Sequence, residues 1–144
     1  VAYAAYLSEL KPDCANIIHT DVGGTSFDVS IVEHGKGLVT RDHEIEWEIP
    51  VIVPMLDIHS VGAGGGSIGW VDEGGSLRVG PQSAGSSPGP VCYGLGGTLP
   101  TITDANLLLG RIEPTLGGKM TLDKAAAEQA MERLAEEFGL SALE

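Results

Sequence analysis

The stretch Asp21-Val22-Gly23-Gly24-Thr25-Ser26-Phe27-Asp28 holds the residue types that phosphate chemistry needs, close enough together to act on one group. Adjacent glycines let a backbone turn tightly and leave no side chain in the way of a phosphate. The N–H groups of such a turn form a concave anion site, and Thr25 and Ser26 add hydroxyl donors beside it. Asp21 would repel a bare phosphate, so the useful role open to it is to hold Mg²⁺ through water. Asp28 can do the same, or can position a water or hydroxyl. No Gly-Lys-Ser/Thr follows, so this is not a Walker loop. A plain β-hairpin whose glycine pair serves only turn geometry is the simpler alternative. Two carboxylates, two hydroxyls and an apolar entering strand favour the phosphate reading.

Other residues could do chemistry but have ordinary explanations beside it. The run Gly62-Ala63-Gly64-Gly65-Gly66-Ser67 is either a flexible turn or a backbone that can approach a nucleotide or a substrate carbonyl. His59 precedes it, with Asp57 close by, which leaves an acid–base or metal role open against a structural hydrogen-bonding one. His19 and Asp21 share a strand face by the period of two, but a metal would need a third ligand that the sequence does not identify. Cys92 has no neighbouring base, so a packed thiol explains it better than a nucleophile. Thr103 or Asp104 is expected to cap a short helix. Asn106 and Arg111 stay unassigned, His34 and His43 read as exposed turn residues, and Trp47 and Trp70 as core or interface fillers.

The elements that must position these groups follow from periodicity. Tyr3, Tyr6, Leu7 and Leu10 fall at helical spacing and predict one apolar helix face. Asn16 to Thr20 predicts a short buried strand. Phe27, Val29 and Ile31 alternate against Asp28, Ser30 and Val32 in the returning strand. His34-Gly35-Lys36-Gly37 predicts a hairpin turn, with a third strand from Leu38 to Arg41. Residues 44–53 read as extended, and 56–61 as a short strand or helix. Residues 68–71 and 76–79 suggest a hairpin around Asp72-Glu73-Gly74-Gly75. Residues 80–100 form a glycine- and proline-rich stretch whose Val91, Cys92, Tyr93 and Leu95 mark a packed loop instead of a linker. A helix ends at Gly110, and a last one runs from Asp123 to Gly139 with Ala127, Ala130, Met131, Leu134 and Phe138 on its apolar face.

Composition bounds the function classes. The 144 residues suffice for one domain with a core, and 42% hydrophobic with 19% charged residues is ordinary for a globular protein. A net charge of −12 argues against nucleic-acid binding, which needs clustered Lys and Arg. No apolar run is long enough to span a membrane and no signal peptide is visible, so a cytoplasmic location is expected. Cys14 and Cys92 lack metal spacing and are expected to be reduced thiols. Opening at Val1 inside a helical pattern suggests a piece of a longer polypeptide.

Beyond these readings, Asp21 to Asp28 resembles the second phosphate motif of the hydantoinase A/5-oxoprolinase/acetone carboxylase β-subunit family, in the actin, Hsp70 and sugar-kinase ATPase superfamily. The resemblance continues through residues 57–68, 80–94 and 100–107, and covers about residues 17 to 112. It implies an α/β fold, a fragment of a ribonuclease-H-like (actin-type) ATPase lobe with a mixed sheet and flanking helices. It further implies a single partial domain over 1–144. ATP and Mg²⁺ are the implied cofactors, with Gly23, Gly24, Thr25, Ser26, Gly64, Gly65, Gly66 and Ser67 at the nucleotide and Asp21 and Asp28 catalytic and metal-holding. The implied reaction is ATP-dependent hydrolysis of a cyclic amide, a hydantoin or 5-oxoproline, or carboxylation of a ketone. The implied partner is a B-type subunit or domain, with homo-oligomers possible. Phe27 stands where the family often has threonine. The family's first phosphate hairpin is not in this sequence, so the chain is expected to be inactive alone. The alternatives are a kinase of the same superfamily and a non-catalytic assembly domain.

Overall fold

The computed structural model describes residues 2–41, 43–45, 49–51 and 53–142; Trp47 lies outside them. The chain divides into two compact units, Val1–Asp21 with Asp28–Ser60, and Val22–Phe27 with Val61–Glu144.

The first unit opens with α1 (Ala2–Leu10), then β1 (Ile17–Val22), β2 (Phe27–Glu33), β3 (Lys36–Gly37), β4 (Val39–Thr40), β5 (His43–Ile45), β6 (Ile49–Val51), β7 (Met55–Leu56) and β8 (Ile58–Val61). β2 pairs with β1, β3 and β8 in one sheet. The β2–β3 turn places His34 and Gly35 at φ 49° and 75°, the left-handed geometry that a two-residue hairpin demands. The His34 amide donates to Asn16 Oδ1 at 3.0 Å. β4 pairs antiparallel with β7, and β5 with β6. His43 therefore opens a strand, not a turn.

Three more sequence expectations fail in this unit. The buried side of α1 is Ala4 and Ser8, while Tyr3, Tyr6 and Leu10 are exposed. β1 is not a buried strand, because Ile18 is 72% exposed. In β2 the buried face carries Ser30 and Val32, and Ile31 points to solvent. Alternation predicts that a strand has two faces but not which is covered; here the covered face is the one that carries Ser30 and Val32.

The second unit contains β9 (Ser67–Val71), β10 (Leu77–Ser83), α2 (Ile102–Leu108), β11 (Thr115–Leu116), β12 (Met120–Thr121) and α3 (Lys124–Glu136). β9 and β10 pair antiparallel with Leu77 opposite Val71 and Arg78 opposite Trp70. Asp72 closes that hairpin, accepting from the Gly74 and Ser76 amides at 3.0 and 2.9 Å and from Arg78 Nε at 2.6 Å. The Ser76 amide first, then Arg78, holds its carboxyl below the usual range. Trp70 is partly exposed and its indole N–H donates to Gly80 O at 2.7 Å.

The core of this unit is Cys92, Leu107, Leu122 and Ala127, with Tyr93, Leu108, Ile112 and Met120 packed against it. The glycine- and proline-rich loop supplies Cys92 and buries Pro90 and Val91 beside it. α3 is capped by Asp123, whose side chain accepts from Ala126 N at 2.9 Å, and buries Ala127 and Ala130. α2 starts earlier than expected: its N-cap is Thr101, not Thr103 or Asp104, and Asp104 is the third helical residue of a capping box. Gly110, at φ 67°, follows its last turn.

Candidate phosphate and cation sites

Residues 23–26 join β1 to β2, a connection too short for a parallel crossover. The Gly23 amide donates to Ser26 O at 2.8 Å and closes the turn. From Gly23 to Thr25 the turn is exposed. Neither Gly23 nor Gly24 is among the glycines at positive φ, and a Cβ built on Gly24 would meet nothing within 4 Å. Turn geometry therefore does not require glycine at position 24. What the residue leaves is open space in front of the backbone.

The other side of the turn is closed by the second glycine run. Gly65 and Gly66 donate their amides to the Gly23 and Gly24 carbonyls at 2.9 and 2.6 Å. A Cβ on Gly64 would stand 2.5 Å from Ser26 N and 2.6 Å from Thr25 N and C, so the two backbones are in direct contact. The run is held in turn by α2, since the Thr103 amide and hydroxyl both donate to Gly65 O at 2.8 Å. Ser67 is fully buried and donates to Gly62 O at 3.3 Å. Gly64, Gly66 and Ser67 thus form a buried bed beneath the turn.

Sequence reasoning missed this support. Thr103, 38 residues from Gly65, is not the helix cap but the clamp on the glycine run. Asp104 is completely buried. Its Oδ2 accepts from Val91 N at 3.2 Å, Thr101 N at 2.9 Å and Thr101 Oγ1 at 2.8 Å, and its Oδ1 from Cys92 N at 2.8 Å. The sequence pointed only to a helix cap at Thr103 or Asp104, where the cap is Thr101; the bonds to residues 91 and 92 bridge segments that spacing cannot relate. Asn106 and Arg111 lie at the far end of α2, where the Arg111 amide donates to Asn106 O at 2.9 Å.

The carboxylates of the motif belong to the first unit. Asp21 and Asp28 line a cavity of about 200 Å³ with His19, Ser30 and Ile58. His19 and Asp21 share a face of β1 by the period of two, and Asp28 and Ser30 one of β2. From β8, Ser60 donates its hydroxyl to Asp28 Oδ1. Among the described residues no group of three His, Cys, Asp or Glu side chains could by itself hold a metal. An ion placed here would therefore keep much of its water, the habit of Mg²⁺. Ser30 is 4% exposed and its Oγ has no hydrogen-bond partner among the described residues. His59 pairs with Asp57 at 3.2 Å and is 80% exposed in its side chain.

Cys92 is a packed thiol, completely buried in the core of the second unit. Burial first, and Asp104 beside it second, push its thiol from an ordinary 9.0 up to about 12. A folded value above the unfolded one means that the buried thiol's contribution to stability is whole below the unfolded value and is lost as pH climbs toward about 12. Alkylation of the native protein at pH 8, read by peptide mass spectrometry, is expected to label exposed Cys14 and spare Cys92. Equal labelling of the two would show that the site opens readily.

The family model for hydantoinase/oxoprolinase matches residues 1–144. The chain is 46% identical over 129 residues to caprolactamase subunit alpha of Pseudomonas jessenii, covering 88% of this chain and 18% of that protein. It is 49% identical over 135 residues to the acetophenone carboxylase gamma subunit of Aromatoleum aromaticum, covering 90% and 18%. Against 5-oxoprolinase of Dictyostelium discoideum it is 46% identical over 132 residues, covering 85% and 10%. Among solved structures it matches the ATP-dependent caprolactamase of Pseudomonas jessenii with a TM-score of 0.82 at 43% identity, covering 98% of this chain and 21% of that one. It matches nucleotide-free acetone carboxylase, described in a study of ATP-dependent acetone carboxylation, with a TM-score of 0.80 at 34% identity, covering 98% and 20%. The chain thus spans about a fifth of these solved relatives, with the α/β fold of an actin-type ATPase lobe. With the family model matched from end to end and the glycine-backed turn at its centre, the chain belongs to the hydantoinase/oxoprolinase family.

Proposed function

We propose that this chain is the second phosphate-binding segment of a larger ATP-dependent enzyme that activates a carbonyl by phosphorylation. Gly23, Gly24, Thr25 and Ser26 cradle phosphate, and Gly64, Gly65, Gly66 and Ser67 serve the nucleotide site by holding that turn in place. Asp21 and Asp28 hold Mg²⁺ through its water. The ion's part when bound is to neutralise phosphate charge. The residues fit it: two carboxylates, a hydroxyl and a cavity with room for coordinated water. The observation that carries the reading is Gly24, whose open face and ordinary backbone leave turn geometry no claim on a glycine.

The carbonyl carbon of a cyclic amide is a poor electrophile, and the enol form of a ketone is scarce. Moving the γ-phosphoryl group to the carbonyl oxygen breaks its bond to ADP and forms a bond to that oxygen. In the amide, water then attacks the activated carbon, the ring C–N bond breaks and phosphate is released. In the ketone, the enol is trapped as its phosphate ester, and its carbon bonds to carbon dioxide as water takes the phosphoryl group and the ketone oxygen is kept. Positioning and charge neutralisation are most of what such a transfer needs. The ATP-dependence named for the solved caprolactamase and for acetone carboxylation supports this class. The substrate is a cyclic amide or a ketone, and the partner a B-type subunit or domain in the cytoplasm. The segment is inactive alone, without the lobe that carries the first phosphate hairpin.

Titration of the intact protein with Mg·ATP, beside Asp21→Asn, tests the reading. Asp21→Asn is expected to weaken Mg·ATP binding at least about tenfold, the loss of one charge-assisted interaction. Equal binding by both proteins would reject it.

A further inference from the structure

We infer that Ser30 is a cation-positioning residue, whose hydroxyl accepts a hydrogen bond from a water carried by a divalent ion in the cavity of His19, Asp21 and Asp28. The inference rests on the reading of Asp21 and Asp28 as cation-holding residues and adds a residue to it.

Ser30 is buried to 4% exposure, and its Oγ finds no partner among the described residues. A buried hydroxyl left without a bond costs stability, so native proteins pair such groups with protein or with ordered solvent. Ser30 lines a cavity with two carboxylates and an imidazole, so its missing partner has to be compatible with negative charge. A free phosphate is not, because Asp21 and Asp28 would repel it. A directly bound transition metal is not either, since no three-ligand group is present among the described residues. A hydrated divalent ion satisfies every group at once. Its waters are polarised donors, the carboxylates and Ser30 Oγ are acceptors, and about 200 Å³ is far more than one water requires. One of the carboxylates is held in place from β8, where Ser60 donates its hydroxyl to Asp28 Oδ1.

The test compares wild type, Ser30→Ala and Asp21→Asn in the intact protein. Mn²⁺ binding is followed by electron paramagnetic resonance in the presence of a non-hydrolysable ATP analogue, and thermal unfolding is followed without metal or nucleotide. Ser30→Ala is expected to weaken Mn²⁺ binding about tenfold, the worth of one lost hydrogen bond to a charged centre. Its metal-free unfolding temperature should be equal to or above wild type, because the substitution removes an unsatisfied group. Unchanged Mn²⁺ affinity in Ser30→Ala with weakened affinity in Asp21→Asn overturns the inference and leaves the proposed function standing. Unchanged affinity in both variants overturns the two together. A lowered metal-free unfolding temperature in Ser30→Ala also overturns the inference, since it would mean that the hydroxyl already has a structural partner.

Discussion

Asp104→Ala is expected to be the most destabilising single substitution in the second unit, by at least about 3 kcal/mol. The carboxylate is fully buried and takes the amides of Val91, Cys92 and Thr101 together with the Thr101 hydroxyl. Its removal leaves these donors in a closed interior, where each unsatisfied group costs about 1–3 kcal/mol. The lower end of their sum is already a large part of the roughly 5–15 kcal/mol that holds a domain folded. Asparagine is no substitute. One of its two positions must be an NH₂ group, which sets donor against donor at either the Cys92 amide or the Thr101 and Val91 amides. The loss is also local, because α2 loses one half of the capping box that sets its first turn, and Thr103 in that turn holds Gly65. The unfolding midpoint of the intact protein measures the first effect, and hydrogen exchange over residues 91–108 the second. An unchanged midpoint would show that water replaces the carboxylate and that the network is not what joins loop and helix.

Gly64→Ala is expected to abolish the phosphate site with a moderate loss of stability, about 1–3 kcal/mol for an overpacked contact. Its Cβ would lie 2.5–2.6 Å from the backbone of Thr25 and Ser26, where no side chain can swing aside. The turn has to move, and a cradle of backbone amides works only while its shape is kept. Gly24→Ala makes the informative contrast. Nothing lies within 4 Å of its Cβ, so the fold is expected to be unaffected while nucleotide affinity falls, the new methyl standing where the phosphate is to lie. Isothermal titration with Mg·ATP, paired with thermal unfolding, separates the two. A Gly24→Ala protein that binds nucleotide as well as wild type would remove the reason for reading the turn as a phosphate cradle.

The sequence alone determined what depends on neighbours along the chain. The double-glycine turn with its flanking acids, a hairpin opening at His34, the start of the last helix near Asp123 and the helix stop at Gly110 rest on local φ preferences and on side chains that bond within a few residues. So did the choice of a packed thiol for Cys92 over a nucleophile, through the want of a nearby base. The resemblance to the family followed from long motifs that lie in order along the chain. Tertiary structure decided everything that depends on which surface is covered. Ser30 and not Ile31 is buried in β2, and Ile18 is open to solvent, because a period of two defines faces without saying what lies on them. Thr103 clamps Gly65 across 38 residues, and Asp104 reaches back to Val91 and Cys92, bonds that no spacing encodes. The glycine run 64–66 needed no left-handed φ; it needed the absence of a side chain against another backbone, and that demand exists only once the two segments have met.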